Sequence, residues 1–130
     1  MFLSAYILQG SSPGFIAAFI AQSLEEVRKC RETLTEPEVR YFLRQRLLAC
    51  EYLVQEQVIH RDLKLGNLLI TKGSQLKEAD FGLTTRVHYE GQLMRSICGT
   101  TNYMDPEMLT IKGYSYEADI WSNGCIVSVT

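Results

Sequence analysis

An excess of charge of either sign is lacking in this chain. Thirteen Lys and Arg stand against fifteen Asp and Glu among 130 residues, a formal net charge of −2. That balance excludes affinity for nucleic acid or for a membrane surface carried by bulk charge. Cysteine is sparse and scattered: Cys30, Cys50, Cys98 and Cys125 form no C-x-x-C pair. Neither a zinc site nor a disulfide framework is indicated, and reduced thiols in an intracellular protein are expected. No uninterrupted apolar run is long enough to span a bilayer. The most apolar stretch, Met1 to Ala21, has no basic residue ahead of it, and Gln9-Gly10-Ser11-Ser12-Pro13-Gly14 breaks it. A secretory leader is therefore not expected. Internal repeats and low-complexity tracts are absent too.

What remains is the composition of an ordinary globular domain, 46% hydrophobic and 22% charged. A compact fold of this length buries roughly two-thirds of its extended surface. The composition changes near Gln22, dividing an apolar segment, 1–22, from a mixed-charge remainder, 23–130. Glu25 to Lys29 reads as helical. Thr35-Glu36-Pro37-Glu38 starts a second helix with a Thr cap, a Pro in the first turn and a Glu at the capping-box position. Val39, Phe42, Leu43, Leu47, Cys50, Leu53 and Val54 then recur at spacings of three and four, which predicts one apolar face. Leu68-Leu69-Ile70 and Gln75-Leu76-Lys77 read as two short strands joined by a turn at Thr71-Lys72-Gly73-Ser74. Asp80 to Glu107 reads as an irregular surface loop, and Ser115 as the cap of a last helix from Tyr116. The expected class is α+β, mainly α.

The chemistry sits in His60-Arg61-Asp62-Leu63-Lys64-Leu65-Gly66-Asn67 and, thirteen residues beyond Asn67, in Asp80-Phe81-Gly82. A lone Asp-Phe-Gly carries little weight; the two in this order, with five positions from Asp62 to Asn67, fit phosphoryl transfer. That reaction needs an oriented nucleophile, metal ions on the phosphates and positive charge where negative charge develops. Asp62 suits the acceptor of a hydroxyl proton, and Lys64 can bring an ammonium to the moving phosphoryl group. Asn67 offers a carbonyl oxygen, and Asp80 a carboxylate, to magnesium.

Residues 23–130 resemble the C-terminal lobe of eukaryotic protein kinases, without the N-terminal lobe or the final helices, and within them the polo-like serine/threonine kinases. The likeness runs through Leu34 to Gln45, Val58 to Leu68, Cys98-Gly99-Thr100 with Asn102-Tyr103, and Asp119-Ile120-Trp121-Ser122. It implies a fragment that, in the intact enzyme, transfers phosphate from ATP to Ser or Thr hydroxyls of protein substrates with Mg2+. By the same likeness Thr100 joins Asp62 and Lys64, Ser96 is the activating phosphosite for an upstream kinase, and Arg61 pairs with its phosphate. His60, Phe81, Gly82, Glu107 and Asp119 take structural places. The resemblance adds an intracellular setting, in nucleus, cytoplasm, centrosome or spindle, with no nucleic-acid or membrane partner.

The pattern also breaks. No G-x-G-x-x-G loop and no V-A-I-K-like strand occur, and Lys72 lies in the wrong place to replace the phosphate-gripping lysine. One lost preorganised contact costs roughly 100- to 1000-fold in rate, so these 130 residues alone are not expected to turn over. Glu78, Arg46 and Asn123 stand where the polo pattern is apolar; Asp105 and Thr101 replace an alanine and a proline. Glu78 is expected close to Asp80, and Arg46 to extend its charged end to solvent. Singly tolerable, these departures together suggest relaxed constraint. Two further readings stay open: a non-catalytic, pseudokinase-like binding module and an inactive truncated product.

Overall fold

The computed structural model describes residues 20–110 and 112–130. Most of the apolar segment set apart at 1–22, including the stretch weighed as a leader, lies outside them. β1 (Ile20–Ser23) runs straight into α1 (Leu24–Arg31). Ser23 starts that helix by a reciprocal cap: its Oγ accepts from the Glu26 N–H at 3.2 Å, and the Glu26 carboxylate accepts from the Ser23 N–H at 2.7 Å. Leu24 and Val27 point inward while Lys29 pairs with Glu25 in solvent.

α2 (Glu36–Gln55) starts where the capping pattern places it. Glu38 Oε2 accepts from the Thr35 N–H at 3.0 Å and from its hydroxyl at 2.8 Å. The inward face differs from the expected one. Cys50 and Leu53 are buried, but Leu47 and Val54 are 47% and 44% exposed, and Arg46 is buried in their stead. The helix meets the core along a narrow stripe, and apolar residues beside that stripe remain in water.

β2 (Val58–Ile59) pairs antiparallel with β5 (Thr85–Arg86), a strand inside what reads as loop. β3 (Leu68–Thr71) and β4 (Leu76–Glu78) form the expected hairpin, and β1 adds to the other side of β3. α3 (Glu117–Val129) begins one residue later than expected. Ser115 does not cap it through its side chain; its N–H donates to the Glu117 carboxylate at 2.7 Å. Leu24, Leu34, Cys50, Leu65, Leu68 and Ile126 join α1, α2, α3 and the hairpin into one apolar core, each fully buried Leu or Ile contributing roughly 1.5–3 kcal/mol. Ile120, Trp121 and Val127 of α3 remain exposed. Among the described residues no helix is long and apolar enough to cross a membrane, and no group of three or more His, Cys, Asp or Glu could hold a metal ion.

Candidate active site

Every residue of the two motifs sits between β2, the β3–β4 hairpin and the start of α3. The loop after β2 turns sharply at Arg61, whose φ of 71° is rare for a residue with a side chain. Asp119, in the first turn of α3, holds that turn. Its Oδ2 accepts from the His60 N–H at 2.8 Å and its Oδ1 from the Arg61 N–H at 2.9 Å. Burial raises the Asp119 pKa, against the pull of those two amides. Its expected structural place is thus a specific one, a carboxylate fastening two successive backbone amides of a strained loop.

His60 is fully buried and packs on Phe81, with ring centroids 4.8 Å apart. Burial, and then the positive charge of Arg46, lower its pKa to about 4, only partly opposed by Asp62, Asp80 and the Ala79 backbone. The ring is neutral at pH 7. Its Nδ1 faces the Asp62 N–H at 3.4 Å.

Beyond this anchor the polar side chains converge. Lys64 Nζ lies 2.9 Å from Asp62 Oδ2, and the Thr100 hydroxyl donates to Asp62 Oδ1 at 2.6 Å. Lys64 Nζ also donates to Thr100 Oγ1 at 3.1 Å, closing a triangle. Burial acts to raise the Asp62 pKa, but the hydrogen bonds from Lys64 and Thr100 outweigh it and hold the acid below its usual range. Asp62 is therefore an ionised, largely buried acceptor. A carboxylate has about four lone-pair sites, so two engaged donors leave room for a third.

Asn67 Nδ2 donates to the Asp62 carbonyl at 3.1 Å, which aims its amide oxygen away from the loop. The Ala79 N–H donates to the Asn67 carbonyl at 2.9 Å and so brings Asp80 alongside. Asp80 is exposed, at a φ of 60°, and its Oδ1 accepts from the Gly82 N–H at 3.2 Å. One amide oxygen and one carboxylate are hard donors, too few for an all-protein cage. They suit Mg2+, which keeps most of its shell from water and phosphates.

The chain segment carrying Thr100 closes over the loop from the other side. Gly99 has a φ of 104°, and a Cβ there would lie 2.4 Å from the Arg61 carbonyl oxygen, so only glycine fits. Arg61 reaches back, donating to Ser96 Oγ at 2.7 Å and to the Leu83 carbonyl. Ser96 is exposed. Tyr114, fully buried, donates its hydroxyl to the Ser96 carbonyl at 2.8 Å, and its backbone bridges to Met94. Sequence reasoning missed Tyr114; a tyrosine after Gly113 gives no local sign of a partner eighteen residues upstream. Glu107 is exposed and stands next to Asp105, whose buried carboxylate accepts from the Glu107 N–H at 3.0 Å and caps the short 3-10 turn Pro106–Leu109. The acid that reads as a misplaced alanine thus has a local function.

Two expectations fail. Arg46 does not extend to solvent: it is 3% exposed and pairs with Glu78. The carboxylate acting on Glu78 is Asp119, not Asp80, because β4 turns the Glu78 side chain toward α2 and α3.

Residues 12–130 match the protein kinase domain family. Over 106 residues, 82% of the chain, the sequence is 53% identical to the serine/threonine-protein kinase PLK1 of Xenopus tropicalis, covering 18% of that protein. It is 48% identical to the serine/threonine-protein kinase polo of Drosophila melanogaster, with the same coverage of both chains. Against the serine/threonine-protein kinase PLK2 of Mus musculus it is 46% identical, again over 82% of this chain and over 16% of the relative. The chain therefore spans less than a fifth of the length of the curated relatives it matches.

Proposed function

The chain belongs to the protein kinase family, in its polo-like branch, and on that premise we propose that residues 23–130 form C-terminal-lobe machinery for phosphoryl transfer to Ser or Thr of protein substrates. The observation that carries this reading is the triangle of Asp62, Lys64 and Thr100, with the acid ionised and anchored from behind. A substrate hydroxyl seated beside Asp62 gives up its proton to the carboxylate as its oxygen attacks the γ-phosphorus. The bond to the bridging oxygen breaks, and that electron pair leaves with ADP. Lys64 offsets negative charge on the moving group. Asn67 and Asp80 would hold Mg2+, which would supply positive charge against the phosphates.

Ser96 is the proposed phosphosite. Its hydroxyl is exposed and the Arg61 guanidinium is already on it at 2.7 Å, so a phosphate there would meet a charge-assisted donor fixed to the catalytic loop. An upstream kinase and an intracellular setting go with this reading.

The test is a graft. Residues 23–130 replace the matching segment of the Xenopus tropicalis relative, and transfer to a Ser/Thr peptide is measured with and without Asp62→Asn. Activity in the graft and its loss in the variant are expected; equal turnover in both would defeat the assignment. A second reading rests on the exposure of Thr101 and Asn102 within the segment from Gly99 to Tyr103. By itself the chain would present the segment from Gly99 to Tyr103 to a protein partner without turnover. Substitutions at Asn102 should then weaken capture of substrate proteins, and capture unaffected by them would dismiss that role.

A further inference from the structure

Arg46, Glu78 and Asn123 look in sequence like three unrelated polar intrusions. They come from α2, β4 and α3, with separations of 32 and 77 positions, and they meet inside the protein. Arg46 donates from Nε and Nη2 to Asn123 Oδ1 at 2.8 and 2.6 Å, and from Nη1 to the Glu78 carboxylate. Asn123 uses its Nδ2 in turn on the Asp119 carbonyl at 2.9 Å and on Cys50 Sγ at 3.0 Å.

Any one of these side chains alone in an apolar site would leave a buried charge or amide unmatched, at a large cost. Together the guanidinium faces the Glu78 carboxyl on one side and bonds twice to the Asn123 amide oxygen on the other. Side chains of complementary charge and hydrogen-bonding sense at three touching positions are one change to the core, not three defects.

The cluster also lies directly beneath the active-site loop. Asn123 is one helical turn beyond Asp119 and bonds its carbonyl, while the Asp119 carboxylate fastens the His60 and Arg61 amides. Glu78 ends β4, and the next residue, Ala79, fastens Asn67. The cluster touches the loop itself where Glu78 Oε1 and His60 Nε2 face each other at 3.9 Å, neither with a bonded partner.

We propose that Arg46, Glu78 and Asn123 are one mutually dependent unit of positioning residues, locking α2, β4 and α3 together under the loop and thereby holding Asp119 on the His60 and Arg61 amides. The contacts alone carry this claim; only its consequence for turnover rests on the kinase reading.

Amide hydrogen exchange on the full 130-residue chain tests it. Arg46→Leu, Glu78→Leu and Asn123→Leu are compared singly and combined, reading His60 and Arg61 against amides of α1 as a distant reference. Each single change should lower protection at His60 and Arg61 by about tenfold more than in α1, and the triple variant should restore it to within about threefold of the unaltered chain. Protection lost equally at His60, Arg61 and α1, with no excess at the loop, would refute the positioning role. So would unaltered protection in the singles, a triple variant as weak as the worst single, or unprotected His60 and Arg61 amides in the starting chain. Where the singles fail to fold, a folded triple supports the unit and an unfolded triple overturns it. None of these readings needs phosphoryl transfer, so an inactive graft would sink the kinase assignment while leaving this result standing.

Discussion

The Asp62–Lys64–Thr100 cluster and the Arg46–Glu78–Asn123 cluster each join an acid, a base and a neutral side chain, on two sides of one loop. The first opens outward. The Lys64 side chain is 30% exposed, and donors from two directions keep Asp62 ionised below its usual pKa. The second is sealed. Burial pushes Glu78 up to about 7 even though Arg46 lies against it and pulls the other way. The same ingredients thus give different outcomes, and the side-chain exposure that differs is that of the base: Lys64 is 30% exposed and Arg46 4%, while the acids are similarly enclosed at 8% and 12%. Where water and a ligand can reach, the charge is available for chemistry; where they cannot, it is spent on holding three elements together.

The largest effect expected from breaking this contrast is on rate. In the grafted kinase domain, Asp62→Asn should slow transfer by roughly 100- to 10,000-fold, the range for a positioned general base. Its denaturation midpoint should hardly move, because an amide of the same size still fits between Lys64 and Thr100. Stability comes next. Arg46→Leu should cost about 3–5 kcal/mol in urea denaturation, since it strands the part-buried Glu78 carboxyl and the buried Asn123 amide. Lys64→Met removes a charge that is 30% exposed and leaves the Thr100 hydroxyl on Asp62, so it should cost less than Arg46→Leu. Equal losses from the two substitutions would erase the distinction drawn between the clusters.

The open cluster was legible in the sequence and the sealed one was not, because the first is built from residues of recognisable motifs and the second is not. Asp62, Lys64 and Asn67 lie within one motif, and Thr100 is reached through the family resemblance of Cys98-Gly99-Thr100. Local chemistry likewise announces the start of α2, where Thr35, Pro37 and Glu38 all point to a helix N-terminus. Arg46, by contrast, is intelligible only with Glu78 and Asn123 beside it, and nothing local in sequence says that β4 turns Glu78 toward α2. Periodicity failed at Leu47 and Val54 for a related reason: an amphipathic pattern locates an apolar side, but only the neighbouring elements decide how much of it they cover.

A smaller contrast concerns His60, which joins the two clusters. It is a base whose pKa falls from 6.5 to about 4 on folding. Below pH 6.5 the unfolded chain therefore takes up a proton that the folded chain refuses until about 4. Its contribution is complete above 6.5 and is lost as pH falls through that window, on the order of 3 kcal/mol in all. His60→Asn removes the titration. The stability difference between the chain and this variant should shrink as pH drops from 6.5 to 4 and be level above 6.5. A difference independent of pH would mean that the ring is not held neutral between the clusters.

The smallest effect lies far from both, at the start of α2, and sets the scale against which they are read. Hydrogen bonds from the Thr35 N–H and hydroxyl, then one from Arg31, lower the Glu38 pKa from 4.5 to about 2. Because the folded value is the lower one, the stabilisation is present above 4.5 and disappears as pH falls toward 2. Glu38→Gln keeps an acceptor for the Thr35 N–H but cannot titrate. The gap between the two chains should close steadily across that acid window and stay constant from 4.5 upward. The group is open to water, so the closing should be shallow beside that of His60. A steeper dependence at Glu38 than at His60 would show that exposure to solvent does not divide the polar groups of this protein in the way the two clusters imply.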